Sequence, residues 1–456
     1  MARSKIGVDR QRSDVTGHTL REKVPRSAHA VWDPPKDRAD PVQLLLDQEA
    51  TRLPELVGLR HARMLQSPFA FLRGAAVVMA HDLAATPATG LRVQAGGDAH
   101  LANFGLYGTP ERNLIFDVND FDETLPAPWE WDVKRLATSF VVAGRTYQHP
   151  AAVNSALAEA CVRSYREHMR EMAGWTHLQV WYAMVNAESV APILGSTHKE
   201  AERTIAKAMN GSSNSQLLAK LTVKGDGGRR LLDRPPLIEH ITTGDSPETF
   251  EGMAALHDQY RDCLDPERQV LLDRYRLVDA ARKVVGVGSV GTRCAVALLI
   301  GASDEDSLFL QVKEAQASVL EAVAGRSPYD NHGERVVRGQ RLLQAASDML
   351  LGFATGPTGR HLYVRQLRDA KIKPQLEIMS PRNFRRYAAT CGEVLARAHS
   401  RTADAVVMSA YLGRSAAFDE AIGAFATAYA KQTERDHEAL LKALKNGRLP
   451  SRDADS

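Results

Sequence analysis

KVVGVGSVGTRCAVALLIGASDEDSLFLQVK, residues 283–313, decides how the chain is read. Gly286, Gly288 and Gly291 give the G-x-G-x-x-G spacing in which bare backbone can approach phosphate oxygens. The residues after the glycines separate one fold from another. RCAVALLI at 293–300 is apolar and partly β-branched, ASDEDS at 302–307 is an acidic turn, and LFLQVK at 308–313 ends on a lysine, which reads as strand, turn, strand. A dinucleotide-binding βαβ unit instead opens a helix after the glycines and sets an acidic residue ~20 positions further on at a strand end. Asp304 and Asp306 come too early for that, in the turn. Periodicity alone does not separate a short apolar strand from a helix, so the dinucleotide reading and a plain tight turn stay open as alternatives. On the leading reading Lys313 follows Gly291 by 22 residues, room for a hairpin between a phosphate loop and a phosphate-pairing lysine.

Such a lobe needs catalytic and metal-binding groups from elsewhere in the chain. GGDAHLANFG, residues 96–105, holds Asp98, His100 and Asn103. A carboxylate followed five residues later by an asparagine suits phosphoryl transfer, the carboxylate facing a nucleophile and the amide oxygen a cation. Asp and Asn also turn the backbone, so the stretch in isolation reads equally as a polar turn. NLIFDVNDFDE, residues 113–123, then ends a β-like run with Asp117, Asp120 and Asp122. Crowded carboxylates repel one another unless cations sit among them. The competing reading is an acidic turn capping the helix of WEWDVKRLA, residues 129–137.

Taken together, GDAHLAN and VNDFDE resemble the G-D-x-H-x-x-N and I-D-F-x-D motifs of aminoglycoside phosphotransferases and other small-molecule kinases of the protein-kinase-like fold. The resemblance implies that Asp98 orients or deprotonates an acceptor hydroxyl and that Asn103 and an aspartate of the second motif hold Mg²⁺. It also implies that Asp132 steadies the catalytic loop. Asp132 follows Asp120 by 12 residues, close to the family interval, which makes Asp120 the first candidate ligand. Asp117, 14 residues after Asn103, stays open, and Asp122 is placed to take a second ion. His100 is either a catalytic partner or a side chain that orders the loop. Gly286, Gly288, Ser289, Gly291 and Lys313 are then expected at the phosphates of ATP, with Glu321 or Glu334 as the acidic partner of Lys313. HLYVRQLRD at 361–369 is expected as strand and hinge, with Gln366 and Leu367 at the nucleotide, and YAATCGEVLARAHS at 387–400 resembles the helix that runs into the catalytic loop.

In this chain the glycine loop and lysine follow the catalytic loop instead of preceding it. The expected fold is therefore α+β: a protein-kinase-like two-lobe fold in circularly permuted order, with a mostly helical large lobe and a small antiparallel-sheet lobe. Chain breaks are tolerated where ends meet at a surface, so neighbours in space need not be neighbours in sequence. The expected divisions are an extended basic arm at 1–40, a helical catalytic lobe at 41–265, a β-rich nucleotide lobe at 266–370, and helices returning to the catalytic lobe at 371–456. Within the second of these, Ser67-Pro68 is expected to break the helical spacing of 42–84, and a Gly-rich basic break falls at KGDGGRR, 224–230.

RHARMLQSPFAFLRG at 60–74, GDAHLANFG, NDFDE, WDVKRLATS, QVKEA and YVRQLRDAK resemble a bacterial family designated domain of unknown function 2252. That likeness brings no activity with it. In its first stretch Arg60, Arg63, Arg73 and Phe69 can form a phosphate-facing surface, or the arginines can cap helices and pair with carboxylates.

The bulk composition narrows the classes. With 58 basic and 55 acidic residues the formal charge is +3, too small to favour nucleic acid or an anionic membrane. Four scattered cysteines with no C-x-x-C pair argue against a disulfide framework or zinc knuckle, and the longest apolar runs, such as CAVALLIGA, fall short of a membrane span. A reducing, cytoplasmic setting is expected. The leading functional expectation is an ATP- and Mg²⁺-dependent phosphotransferase with a small hydroxyl-bearing acceptor. Nucleotidyl transfer (AMPylation) and a catalytically silent nucleotide-binding regulator are the alternatives. A metal-dependent phosphohydrolase ranks lower because only His100 lies in the motifs, and two-metal hydrolases use several histidines.

Overall fold

The computed structural model describes residues 10–194, 203, 213–225, 228–242, 247–367, 372 and 374–450. In chain order the first helices are α1 (Arg10–Lys23), α2 (Pro41–Glu49), α3 (Pro54–Leu65), α4 (Pro68–Gly74) and α5 (Ala76–Ala84). Ser67 and Pro68 separate α3 from α4 as their chemistry demands. The Ser67 hydroxyl accepts the Ala70 N–H at 3.0 Å and proline occupies the first helical position, where its missing N–H costs nothing. Strands β1 (Arg92–Ala95), β2 (Phe104–Gly108), β3 (Leu114–Val118) and β4 (Leu125–Pro128) come next, and α6 (Trp129–Thr146) and α7 (Ala151–Met172) begin the large helical core.

Beyond them lie α8 (His177–Tyr182), β5 (Val185–Asn186), α9 (Ala187–Leu194), α10 (Ser213–Leu221), and the short strands β6 (Thr222–Gly225), β7 (Gly228–Leu231) and β8 (Ile238–Glu239). The break expected at 224–230 is thus a two-stranded hairpin, of which residues 226 and 227 lie outside the described residues. Helices α11 (Phe250–Asp262) and α12 (Pro266–Leu272) lead into β9 (Arg276–Lys283), β10 (Cys294–Ile300) and β11 (Ser307–Glu314). After α13 (Glu321–Ala324) and α14 (His332–Leu343) come β12 (Gly352–Thr355) and β13 (His361–Gln366), and α15 (Pro381–Ser400), α16 (Ala405–Leu412) and α17 (Ala417–Lys445) close the chain.

The fold is α+β, and its strand pairs are antiparallel. The main sheet runs β12-β13-β11-β10-β9-β8, so the stretch 293–313 is a hairpin and not a helix. One face of this sheet carries Ala280, Ala295, Ala297, Leu299, Leu308, Leu310 and Val312, packed against Met253, Leu256 and Tyr260 of α11 and Leu272 of α12. Strand alternation sends Lys313, Gln311, Tyr363 and Arg365 to the opposite face. The larger core lies among α6, α7, α15 and α17, around Trp129, Phe140, Tyr165, Tyr387 and Phe425.

From Arg10 on, the basic N-terminal stretch is a wrapped extension and does not stand free as an arm. From Arg10 it is helical, and two of its arginines hold the end of α16: Arg21 Nε donates to the Tyr411 carbonyl and Arg26 Nη1 to that of Leu412, both at 2.7 Å. A helix C-terminus leaves carbonyls without partners, and guanidinium groups satisfy them.

Candidate active site

The loop 96–103 is built on α6. Asp132, in the first turn of that helix, accepts N–H bonds from Gly96 at 2.6 Å and Gly97 at 3.0 Å. His399 near the end of α15 brings Nε2 to 3.2 Å from the same carboxylate, and its Nδ1 lies 2.9 Å from the Tyr165 hydroxyl. Helix α15 therefore meets the loop in space although it comes nearly three hundred residues later in the chain. Gly97 has φ +77°, and a Cβ there would lie 2.2 Å from the Glu123 carbonyl oxygen, so both the turn and the close approach require glycine.

Asp98 faces the cleft between the loop and the sheet lobe. Its Oδ1 accepts from Arg135 Nε at 2.7 Å and from Arg135 Nη2, and its Oδ2 lies 3.7 Å from His100 Nε2. Burial pushes the carboxyl up to about 7 despite the pull of Arg135. Arg135 lies one helical turn after Asp132, so one helix positions both the loop and its carboxylate. The Asn103 side-chain N–H donates to the Asp98 carbonyl at 2.8 Å, which leaves Oδ1 on the other branch of the amide. Asn103 and Asp120 both line the cleft, and Oδ1 of Asp120 is buried without a hydrogen-bond partner.

The three aspartates of 117–122 have three different surroundings. Asp117 is 1% exposed and points away from the cleft, where it takes Arg397 Nη2 at 2.6 Å and the backbone N–H groups of Ala345 and Val118 at 2.8 Å. It is fully engaged as a structural acceptor and does not meet the other candidate ligands. Asp120 is the open one. Asp122 accepts from Lys313 Nζ at 2.5 Å, Tyr363 Oη at 2.6 Å and Ser289 Oγ at 3.2 Å. Burial alone would raise its carboxyl, but Lys313, Tyr363 and Arg365 overcome that and hold it at about 2.

The acidic partner of Lys313 is thus Asp122, and neither Glu321 nor Glu334. Glu321 accepts the Ser318 N–H at 3.3 Å and faces His332, while Glu334 pairs with Arg338 one turn along α14. The glycine loop closes the cleft from above, with Gly286, Gly288 and Ser289 among its lining residues and φ values of +64° at Gly286 and +87° at Gly291. The N-terminal helices hold it down: Arg63 Nη1 donates to the Gly286 carbonyl at 2.6 Å, Arg52 Nη1 to that of Val290 at 2.5 Å, and the Leu53 N–H to that of Gly291 at 2.7 Å. Arg60 plays no part here, since it is buried on Glu49 and the Gly74 carbonyl.

Gln366 and Leu367 are not brought into this cleft. Gln366 gives its N–H to Asp348 at 2.5 Å and lines a separate cavity with Tyr107, Arg112 and Gln340, and the Leu367 N–H is taken by the Phe309 carbonyl at 3.0 Å. The sheet face beside them, with Ala281, Val296, Leu298 and Phe309, is covered by Leu217, Leu218 and Leu221 of α10. The cleft itself measures about 170 Å³, below the ~300 Å³ at which whole small-molecule ligands are usually enclosed, so it has room for phosphates and an ion. Among the described residues no group of three or more His, Cys, Asp or Glu is arranged to hold a metal. An ion at Asn103 and Asp120 would complete its shell with water and phosphate oxygens, as Mg²⁺ prefers.

The description "uncharacterized protein conserved in bacteria (DUF2252)" belongs to a family that matches residues 52–443. The chain is a member of the DUF2252 family. No curated protein matches it, and no solved structure does. The DUF2252 match takes in both polar loops, the glycine loop, Lys313 and α15. Within it, sequence reasoning missed Arg135, Tyr363, Arg365 and Arg52. The first had a signal in its one-turn spacing from Asp132, and Tyr363 and Arg365 had one in the strand alternation of YVRQ. Arg52 had none. No helix among the described residues is long and apolar enough to cross a membrane.

Proposed function

We propose that the chain is an ATP- and Mg²⁺-dependent phosphotransferase acting on a small hydroxyl-bearing acceptor. One observation carries the reading: Lys313 Nζ meets Asp122 at 2.5 Å across 191 residues, and Asp122 lines one cleft together with Gly286, Gly288, Ser289, Asp98, Asn103 and Asp120. Two further observations support it. The strand order β9-β10-β11-β13-β12, with helices between the lysine strand and β12, is the order of a protein-kinase-like small lobe. The contact of His399 with Asp132 restores in space the neighbours that a permuted chain separates.

In this reading the glycine loop and Lys313 would take the phosphates, and Asn103 Oδ1 and Asp120 would hold Mg²⁺. The ion would supply positive charge to the phosphate being transferred. Asp98, fixed by Arg135, receives the acceptor's hydroxyl proton as the oxygen bonds to the γ-phosphorus. The bond from that phosphorus to the bridging oxygen breaks, and ADP leaves. The orphaned oxygen of Asp120 fits a cation, because a buried carboxylate oxygen without a partner carries a desolvation cost that an ion removes.

Thermal unfolding tests the reading. ATP with Mg²⁺ at ~100 times its dissociation constant stabilises by ~2.7 kcal/mol, and the midpoint rises by a few degrees. Asp120→Asn loses that response while its unliganded midpoint stays near the parent's. A midpoint that ignores ATP and Mg²⁺, or responds to NAD alone, counts against the proposal.

A second reading, transfer of the nucleotidyl group, is favoured by the cover of α10 on the sheet face beside Leu367. A base that cannot stack there points outward, and the reversed nucleotide presents its α-phosphorus to Asp98. Label from [α-³²P]ATP appearing in the acceptor separates this from γ-phosphoryl transfer.

A further inference from the structure

The cleft also has a cationic wall, built from the N-terminal helices. Arg73, at the end of α4, lines it with the guanidinium near Asp98 and Asp120, yet forms no hydrogen bond or ion pair among the described residues, and its Nε is buried without a partner. The side chain is held in place by Phe69, whose ring centre lies 5.9 Å from the guanidinium carbon. Arg52 lines the same cleft and is 7% exposed. One of its Nη atoms is on the Val290 carbonyl, and its Nε has no partner. Both arginines touch the glycine loop: a Cβ at Gly291 would lie 3.1 Å from Arg52 Cβ, and one at Gly288 would lie 3.3 Å from the Arg73 carbonyl oxygen.

The cleft carboxylates do not account for these charges. Asp98 is held by Arg135, Asp122 by Lys313, and Glu314 by Arg293 and Arg360. Glu123 accepts the Val319 N–H, and burial raises its carboxyl, which weakens it as a counterion. Asp120 is the remaining acid, and it makes no ion pair with either arginine. Arg52 is buried and Arg73 half-buried, and neither makes an ion pair among the described residues, so an arriving anion gains charge-assisted hydrogen bonds from both, and a planar fork matches phosphate oxygens. Burial depresses both groups, Arg52 to about 9 with Arg60 adding to the effect, and the carboxylates nearby offset only part of it.

We propose that Arg52 and Arg73 form a phosphate clamp: together with the glycine loop they grip the phosphate chain of the nucleotide. The clamp rests on the nucleotide reading of the cleft and adds to it a wall supplied by the turn between α2 and α3 and by the end of α4. The same fork chemistry would suit a phosphate borne by the acceptor, so the test must separate the two sources.

Calorimetric titration with inorganic tripolyphosphate in the absence of Mg²⁺, and separately with ATP and Mg²⁺, makes that separation. Arg73→Gln is the main variant, because Arg73 has no hydrogen bond to lose. Its affinity for both probes falls at least tenfold, and Arg73→Lys, which keeps charge without the fork, falls between. Its unliganded midpoint is unchanged or higher, whereas loss of a merely structural arginine lowers it. Equal binding by Arg73→Gln and the parent overturns the clamp and leaves the phosphotransferase proposal standing. Weakened tripolyphosphate binding with undiminished ATP–Mg²⁺ binding overturns the assignment to the nucleotide and moves the phosphate to the acceptor. A parent protein that binds neither probe overturns both proposals.

Discussion

Asp98→Asn lowers the rate of transfer by about 10³-fold, ~4 kcal/mol of transition-state stabilisation, while ATP–Mg²⁺ still binds. Asparagine is the informative replacement because its amide oxygen still accepts from Arg135, whose guanidinium is 2% exposed. Alanine would leave that charge buried alone, and lost activity would then report misfolding. The acidity of Asp98 sets the pH response. Burial pushes this carboxyl up to about 7, and a base must be deprotonated to act, so the rate falls as pH falls. Between pH 8 and pH 6 a single group of that acidity loses about tenfold of its ionised form, and the rate drops with it. Single-turnover rates across that range check both expectations. A variant that transfers at the parental rate removes Asp98 from the role of base, and a flat profile removes its titration from the rate.

Asp117→Ala costs about 3–5 kcal/mol of stability, because it leaves Arg397 as a buried charge without its carboxylate. Arg397 is 2% exposed and Asp117 is 1% exposed, so water cannot replace the lost partner, and the N–H groups of Ala345 and Val118 lose an acceptor at the same time. The thermal midpoint drops by several degrees, and the response to ATP–Mg²⁺ persists in the fraction that folds. Asp120→Asn does the reverse, keeping the midpoint and losing the ligand response. These neighbours, three residues apart, are thus distinguished by which measurement each one moves. An Asp117 variant with an unchanged midpoint and no metal response would return that residue to the cleft.

Both variants depend on a distinction the spacing of acids did not make. Asp117 and Asp120 each lie at a familiar interval from Asn103 or Asp132, yet only Asp120 meets the cleft. Asp117 is still inside β3, where alternation and the arrival of α15 direct it to Arg397, whereas Asp120 comes after the strand has ended. The same limit applies to Lys313. Spacing points to the acids of the helices immediately after it, and the structure supplies Asp122, 191 residues earlier in the chain.

The features that the sequence determined by itself are those that short-range chemistry governs. Serine and proline at 67–68 and 380–381 start helices because a hydroxyl and a missing N–H suit a first turn, and 293–313 alternates as a hairpin. Asp98, Asn103, Asp120, the glycine loop and Lys313 were legible as candidates because turns, bare backbone and paired carboxylates are local signals. Tertiary structure alone decided which charges meet. It set Lys313 on Asp122, turned Asp117 to Arg397, folded the basic N-terminus onto carbonyls of α16, kept Gln366 and Leu367 out of the cleft, and left Arg52 and Arg73 facing it without an ion pair. Each of these is a contact between segments far apart in the chain, and a charged side chain's partner is fixed by the face on which distant elements pack, which no local spacing encodes.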